Sequence, residues 1–353
     1  MNIQQLHNHR SFSLHHYQRG VNLIEIMVAM TIGLFLVLGA TTLYVNSKKT
    51  SDVDDSIARL QETARYAMSV LEADVRMANY WGQFKDSNKI INKDSQDPTS
   101  TYSGTALAAA VGAAGCGANY ASHIEMYIEA TNNRYTLACN PFGGANMQVT
   151  TADTLIVRRA EQAIAPASAT RLQVCSNHED GWIIPYAAAD CTDKETHNLI
   201  ANGYYVDQRS QQSTTYPALR RWTLIDGSIR DDEIIPGVED MQIELGWDNS
   251  NNSTPGDAGA VRYVQPEDAA ITAAGEPVGR IVAVRVWLLI RAEAPDRTFT
   301  DTRTYEYADR AATNGTVNTL NATASATKAY RPSDNFRRLL VSRTFFVRNV
   351  TGT

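Results

Sequence analysis

The residues able to do chemistry in this chain lie close together near its start. Gly20 ends a basic leader, and Glu25 stands at the head of a long apolar run. If the chain is cut after Gly20, Val21 gains a free ammonium one helical turn from the Glu25 carboxylate. A first-turn acid also suits the helix dipole. Glu25 can then neutralise its own amine or that of a neighbouring helix, and the second pairing would set the axial register of a helical assembly. A carboxylate within a membrane segment costs about 2.5–3.5 kcal/mol, so its presence there marks function.

No other constellation of this kind stands out. There is no G-x-S-x-G, H-E-x-x-H, P-loop or G-x-G-x-x-G pattern, and a non-enzymatic chain is expected. Beyond the leader the histidines are His123, His178 and His197, placed by the sequence at edges or loops with no partner at motif spacing. Asp231-Asp232-Glu233 reads as a solvated turn. The stretch from Asp248 through Ser250 and Asn252 to Asp257 sets oxygen side chains at alternate positions, as a Ca²⁺ loop requires. It lacks the central glycine and the closing glutamate, so a polar hairpin loop is the expectation and no cofactor is assigned. Cys116, Cys139, Cys175 and Cys191 are even in number and have no C-x-x-C spacing, which argues against zinc and for disulfides in an oxidising compartment. Pairing of nearest neighbours, Cys116 with Cys139 and Cys175 with Cys191, closes one local loop each.

These residues need a scaffold. Residues 1–20 carry Arg10 and Arg19 and no acid, and Ile26 to Val45 is free of charge. A helix of about 20 apolar residues spans a bilayer, and the basic leader places the rest of the chain outside the cytoplasm. The run is longer than a secretory signal core, and Leu38-Gly39-Ala40 is a poor cleavage site. After Val45 the sequence turns polar but keeps a helical period. Val53, Ile57, Leu60, Ala64, Ala67, Leu71 and Ala78 share one face, with Asp74 as its polar break. The spacing predicts one helix from about Asn22 to Asn79, ended by Gly82 as a C-cap.

Beyond residue 80 the pattern is mostly strands: 123–129, 135–139, 154–159, 222–225, 241–247, 282–290 and 336–348, separated by turn signals. The expected fold class is α+β, with a long N-terminal helix packed on a head rich in antiparallel sheet. Its parts are a leader (1–20), an apolar helix (21–45), an amphipathic continuation (46–80) and a β-rich head (81–353). The whole chain carries 32 basic and 38 acidic residues. Without Arg10 and Arg19 the balance is 30 to 38, a net charge of −8, which argues against nucleic acid as a partner.

The leader, Gly20, Leu23-Ile24-Glu25 and the apolar run resemble the signal of type IV prepilins. Val21 stands where that family usually has Phe, and Asn22 where Thr is common. Further along, Arg76-Met77-Ala78-Asn79-Tyr80-Trp81-Gly82, Asp153-Thr154-Leu155-Ile156-Val157-Arg158, Val284 to Arg291 and Arg343 to Asn349 resemble the PilW family of large minor pilins. Gln83 stands near where that family has a cysteine, so its disulfide pattern does not transfer. The resemblance implies that a prepilin peptidase cuts after Gly20 and methylates Val21. It implies an inner-membrane precursor with a periplasmic head, taken up by an assembly platform and then found in the pilus. The implied partners are other minor pilins, the major pilin and a tip adhesin, and the implied role is initiating assembly near the filament tip. Alternatives left open are a J-type pseudopilin of type II secretion and, from another class, a signal-anchored periplasmic enzyme or ligand-binding protein.

Overall fold

The computed structural model describes residues 20, 22–84, 90, 116–117, 120–121, 123–166, 168, 170–185, 191, 194–225, 228–248, 261–268, 271, 280–317 and 328–350. The chain divides into two units between Asp55 and Ser56, inside one long helix.

That helix, α1, runs Leu23–Met77 for 55 residues. Asn22 sits at its N-cap, where its carbonyl accepts from the Glu25 and Ile26 amides at 2.9 and 3.2 Å. Neither Pro nor Gly interrupts it after Gly39. Glu25 in the first turn and Arg76 in the last both complement the dipole. Its end is set by Asn79 in the left-handed conformation, φ 61°, a role asparagine shares with glycine. Gly82 also has positive φ but lies beyond the helix, so the expected glycine cap is a correction: Asn79 turns the chain first.

In the unit after Asp55, α1 buries Leu60, Ala64, Ala67, Leu71 and Val75, and Ala78 just past its end continues the stripe. Steps of three and four keep them on one face. Val53 is only half-buried and Ile57 is exposed, so the buried stripe begins two turns later than the periodicity suggests.

Thirteen strands follow among the described residues: β1 Ile128–Thr131, β2 Thr154–Ile164, β3 Leu172–Ser176, β4 Gly181–Pro185, β5 Glu195–Asp207, β6 Ala218–Ile225, β7 Ser228–Pro236, β8 Val238–Asp248, β9 Arg262–Val264, β10 Arg280–Arg291, β11 Ala311–Val317, β12 Lys328–Tyr330 and β13 Arg338–Phe346. One sheet runs β1-β2-β5-β3-β4, with β6 joined to β5 and β7 to β6; a second runs β13-β10-β8-β9. Pairing within both is antiparallel. β10 is central because both faces are apolar enough to be covered: Val284, Val286, Leu288 and Ile290 on one side, Ala283 and Leu289 on the other, are all buried. Gly237, φ 97°, makes the turn from β7 to β8, where an added Cβ would meet the Tyr216 hydroxyl. The buried face of α1 and the inner faces of both sheets form one apolar cluster.

The expected strand at 135–139 is absent. The Tyr135 hydroxyl donates to the Cys139 carbonyl at 2.7 Å, and the Ala138 amide to the Cys116 carbonyl at 3.1 Å. These bonds fold the segment on itself instead of pairing it in a ladder.

Candidate functional site

Leu34, Phe35 and Leu36 are consecutive in α1 and 62%, 75% and 69% exposed. Successive helical residues lie about 100° apart, so the apolar surface runs round the helix. Leu23, Ile24, Met27, Met30 and Leu43 extend it. The few hydroxyls do not break it: Thr31 donates to the Val28 carbonyl at 2.8 Å, Thr41 to Val37 at 2.7 Å and Thr42 to Gly39 at 2.8 Å. Each of these threonine hydrogens is satisfied inside the helix, as suits an apolar surrounding. This is a helix long and apolar enough to cross a membrane. Gly20 and Glu25 are exposed at its head. Val21 and residues 1–19 lie outside the described residues.

The other end of α1 is fastened to the sheets by polar bonds. Asp74, 5% exposed, is the polar break in the apolar stripe. Arg159 of β2 donates to its Oδ1 at 2.9 Å, while Asn202 and Tyr204 of β5 donate to its Oδ2. Burial, and then the Asp74 charge, push the Tyr204 phenol well above its usual range, so it stays a donor. Glu72 binds Arg343 of β13 at 3.0 Å. The last carbonyls of the helix are capped from the far end of the chain: Asn349 Nδ2 lies 3.3 and 3.2 Å from the Met77 and Ala78 oxygens, and the Arg348 amide donates to the Arg76 carbonyl at 3.2 Å. Two of the orphan carbonyls that every helix end leaves, those of Arg76 and Met77, are thus satisfied.

Buried charge recurs through the head where the sequence suggested solvent. Asp231, Asp232 and Glu233 lie on β7, and Arg220 of β6 is 1% exposed between Asp231 at 3.0 Å and Glu233 at 2.8 Å. The solvated-turn reading is corrected. Its signal was present: Asp-Gly at 226–227 is a turn signal in the sequence, and counting outward from it pairs Arg220 with Glu233, as the register has it. In the second sheet Arg338 holds Glu239 at 2.6 Å and Asp334 at 2.6 Å. Arg310 and Tyr307 both donate to Asp240, at 2.8 and 2.6 Å. Burial opposes the charge of Asp301, yet bonds from Arg303 and Tyr305 outweigh it and hold that carboxyl below the usual range.

His197 is another correction: it is buried in β5, with its Nδ1 hydrogen donated to the Glu161 carbonyl at 2.9 Å. His178 is exposed in a loop. Cys116 is bonded to Cys139 and Cys175 to Cys191, closing separations of 23 and 16 residues. Each restrains the unfolded chain by about 3 kcal/mol on a loop-entropy model. Of the Ca²⁺-loop candidates, Asp248 ends β8, and Ser250, Asn252 and Asp257 lie outside the described residues. Among the described residues no group of three or more His, Cys, Asp or Glu is placed to hold a metal ion.

Among curated proteins none matches the chain. A type IV-like pilin from Thermus thermophilus is similar in structure at 12% identity and a TM-score of 0.26, over 57% of this chain and 80% of its own. The family model described as "Type IV Pilus-assembly protein W" matches residues 203–349. That segment runs from the middle of β5, through the Arg220 hairpin and the whole second sheet, to the Asn349 amide that caps α1. Over those residues the chain is similar to type IV pilus-assembly protein W.

Proposed function

We propose that this chain is a minor pilin: a structural, non-enzymatic subunit that helps start type IV pilus assembly and enters the filament near its tip. The observation that carries this reading is the front of α1, apolar on all sides, with one acid at its head. Water does not favour such a surface; burying apolar area yields about 25 cal/mol per Å². A bilayer covers it first and neighbouring helices of a filament cover it later. The family match over 203–349 supports the pilus as the destination.

In this reading the precursor sits in the inner membrane with its head in the periplasm. A prepilin peptidase cuts after Gly20 and methylates the Val21 amine. Glu25 meets that amine, or a neighbour's, when the assembly platform moves the helix out of lipid. Other minor pilins and the major pilin are its neighbours, and the head, fixed to α1 through Asp74, selects them.

Glu25→Ala tests the reading. The variant should be cut as wild type is, since Gly20 and the leader are untouched, but should accumulate in the membrane and be depleted from sheared pili on immunoblots. Incorporation at the wild-type level would remove Glu25 from the mechanism.

A further inference from the structure

Beside Asp74 the face of the first sheet opens into a cavity of about 250 Å³ lined in part by Asn202, Arg221, Thr223, Arg159 and Asn198. A water's share of the liquid is about 30 Å³, so the space suits something larger than one water. Asn202 and Thr223 are register partners on β5 and β6, and Tyr204 and Arg221 are the pair two positions along, on the same face. Two polar atoms here are buried without partners: Asn202 Oδ1 and Arg221 Nε. The orientation of Asn202 is forced, because its Nδ2 donates to the Asp74 carboxylate and its oxygen must turn the other way. The wall therefore offers one bare acceptor and one bare donor on adjacent strands. A buried polar group left this way is destabilising until something pairs with it.

We infer that this cavity is a binding site for a neutral saccharide. A carboxylate or phosphate would satisfy Arg221 Nε and find Arg159 and Arg171 in the same lining, but would set its oxygens against Asn202 Oδ1, with Asp74 and Glu161 close by. An ammonium would satisfy Asn202 and meet Arg221 and Arg159. A hydroxyl both donates and accepts, and a pair of adjacent sugar hydroxyls serves both atoms, with the Thr223 hydroxyl available to a third. Leu199, Ile200 and Leu224 give apolar surface for the C–H face of the ring. The inference does not depend on the pilus reading.

Saturation-transfer NMR on the full chain in a zwitterionic, sugar-free detergent tests it. The probes are D-glucose, D-galactose, D-mannose and N-acetyl-D-glucosamine, with D-glucuronate and a serine-rich peptide as contrasts. At least one neutral sugar should receive transfer. Arg221→Lys keeps the charge but removes the Nε hydrogen, and Thr223→Val removes the hydroxyl at nearly constant shape. Each should weaken binding about tenfold, the equivalent of one lost hydrogen bond. Should Arg221→Lys fail to fold by circular dichroism, Thr223→Val decides alone. No transfer to any neutral sugar from the folded protein, which would leave the cavity to water only, overturns the inference. So does unchanged affinity in the folded variants, or preference for glucuronate or the peptide.

Discussion

The two halves of α1 share a backbone and a period, and their surfaces are opposite. From Leu23 to Val45 apolar side chains point in every direction and stay exposed. From Leu60 to Ala78 they keep to one stripe and are buried, while Glu62, Arg65 and Tyr66 face outward. The back half has one surface to cover, and the sheets cover it. The front half has no such inner face; in the proposed reading its partner is a surrounding medium, lipid or a ring of like helices. The front half buries none of its large apolar side chains, so the stability of the head is expected to be separable from it.

That separation predicts effects confined to one half. Asp74→Ala strips the acceptor from Arg159, Asn202 and Tyr204 and leaves the half-buried Arg159 guanidinium without its carboxylate. The head should lose about 3–5 kcal/mol, read as a lower melting temperature, with membrane partitioning unchanged. Equal stability would show that the Asp74 clamp is incidental. Leu36→Arg is the converse. It should raise the cost of membrane insertion by about 2.5–3.5 kcal/mol and shift protein out of the membrane fraction, while the head melts as in wild type. A head that melts earlier in this variant would couple the halves and break the comparison.

Much of this division is legible in the residues. An uncharged stretch from Ile26 to Val45, then apolar residues at helical spacing with acids and arginines between them, reads directly as two surfaces on one helix. The strand β10 is equally plain, since alternation of Val, Leu and Ile with Arg and Trp is local. Buried charge was harder to see. Arg338 meets Glu239 and Arg159 meets Asp74 across 99 and 85 residues, and nothing in the neighbourhood of either arginine announces a distant acid. Asp74 looked like a flaw in the stripe because its three partners come from two strands not adjacent to it in the chain. β3 and the whole of β5 were missed for a related reason: Gln173, Thr196, His197 and Asn202 are buried polar residues that break the apolar alternation by which strands are found.

The smallest expected effect concerns acid. The front of α1 from Ile26 to Val45 has no carboxylate, so loss of stability in acid belongs to the head. The Thr298 hydroxyl and amide, with Arg337, lower the Asp296 carboxyl to about 2. A depressed acid contributes stability above its unfolded value, about 3.9, and loses it as pH falls through about 2. Asp153, Asp207 and Asp231, raised by burial, act in the opposite sense: their contribution is complete at low pH and is lost as pH rises through their folded values. Asp296→Asn should therefore melt slightly below wild type at pH 6 and match it near pH 2. A constant difference across that range would assign Asp296 no titrating role.

The account rests on the front of α1 being a processed, assembling helix, and the N-terminal residue of the protein recovered from sheared pili tests it most directly. Sequencing should find Val21 first, with a methylated amine. Recovery of pilus-borne protein that still begins at Met1 would contradict the account, for Glu25 would then have no liberated amine to meet.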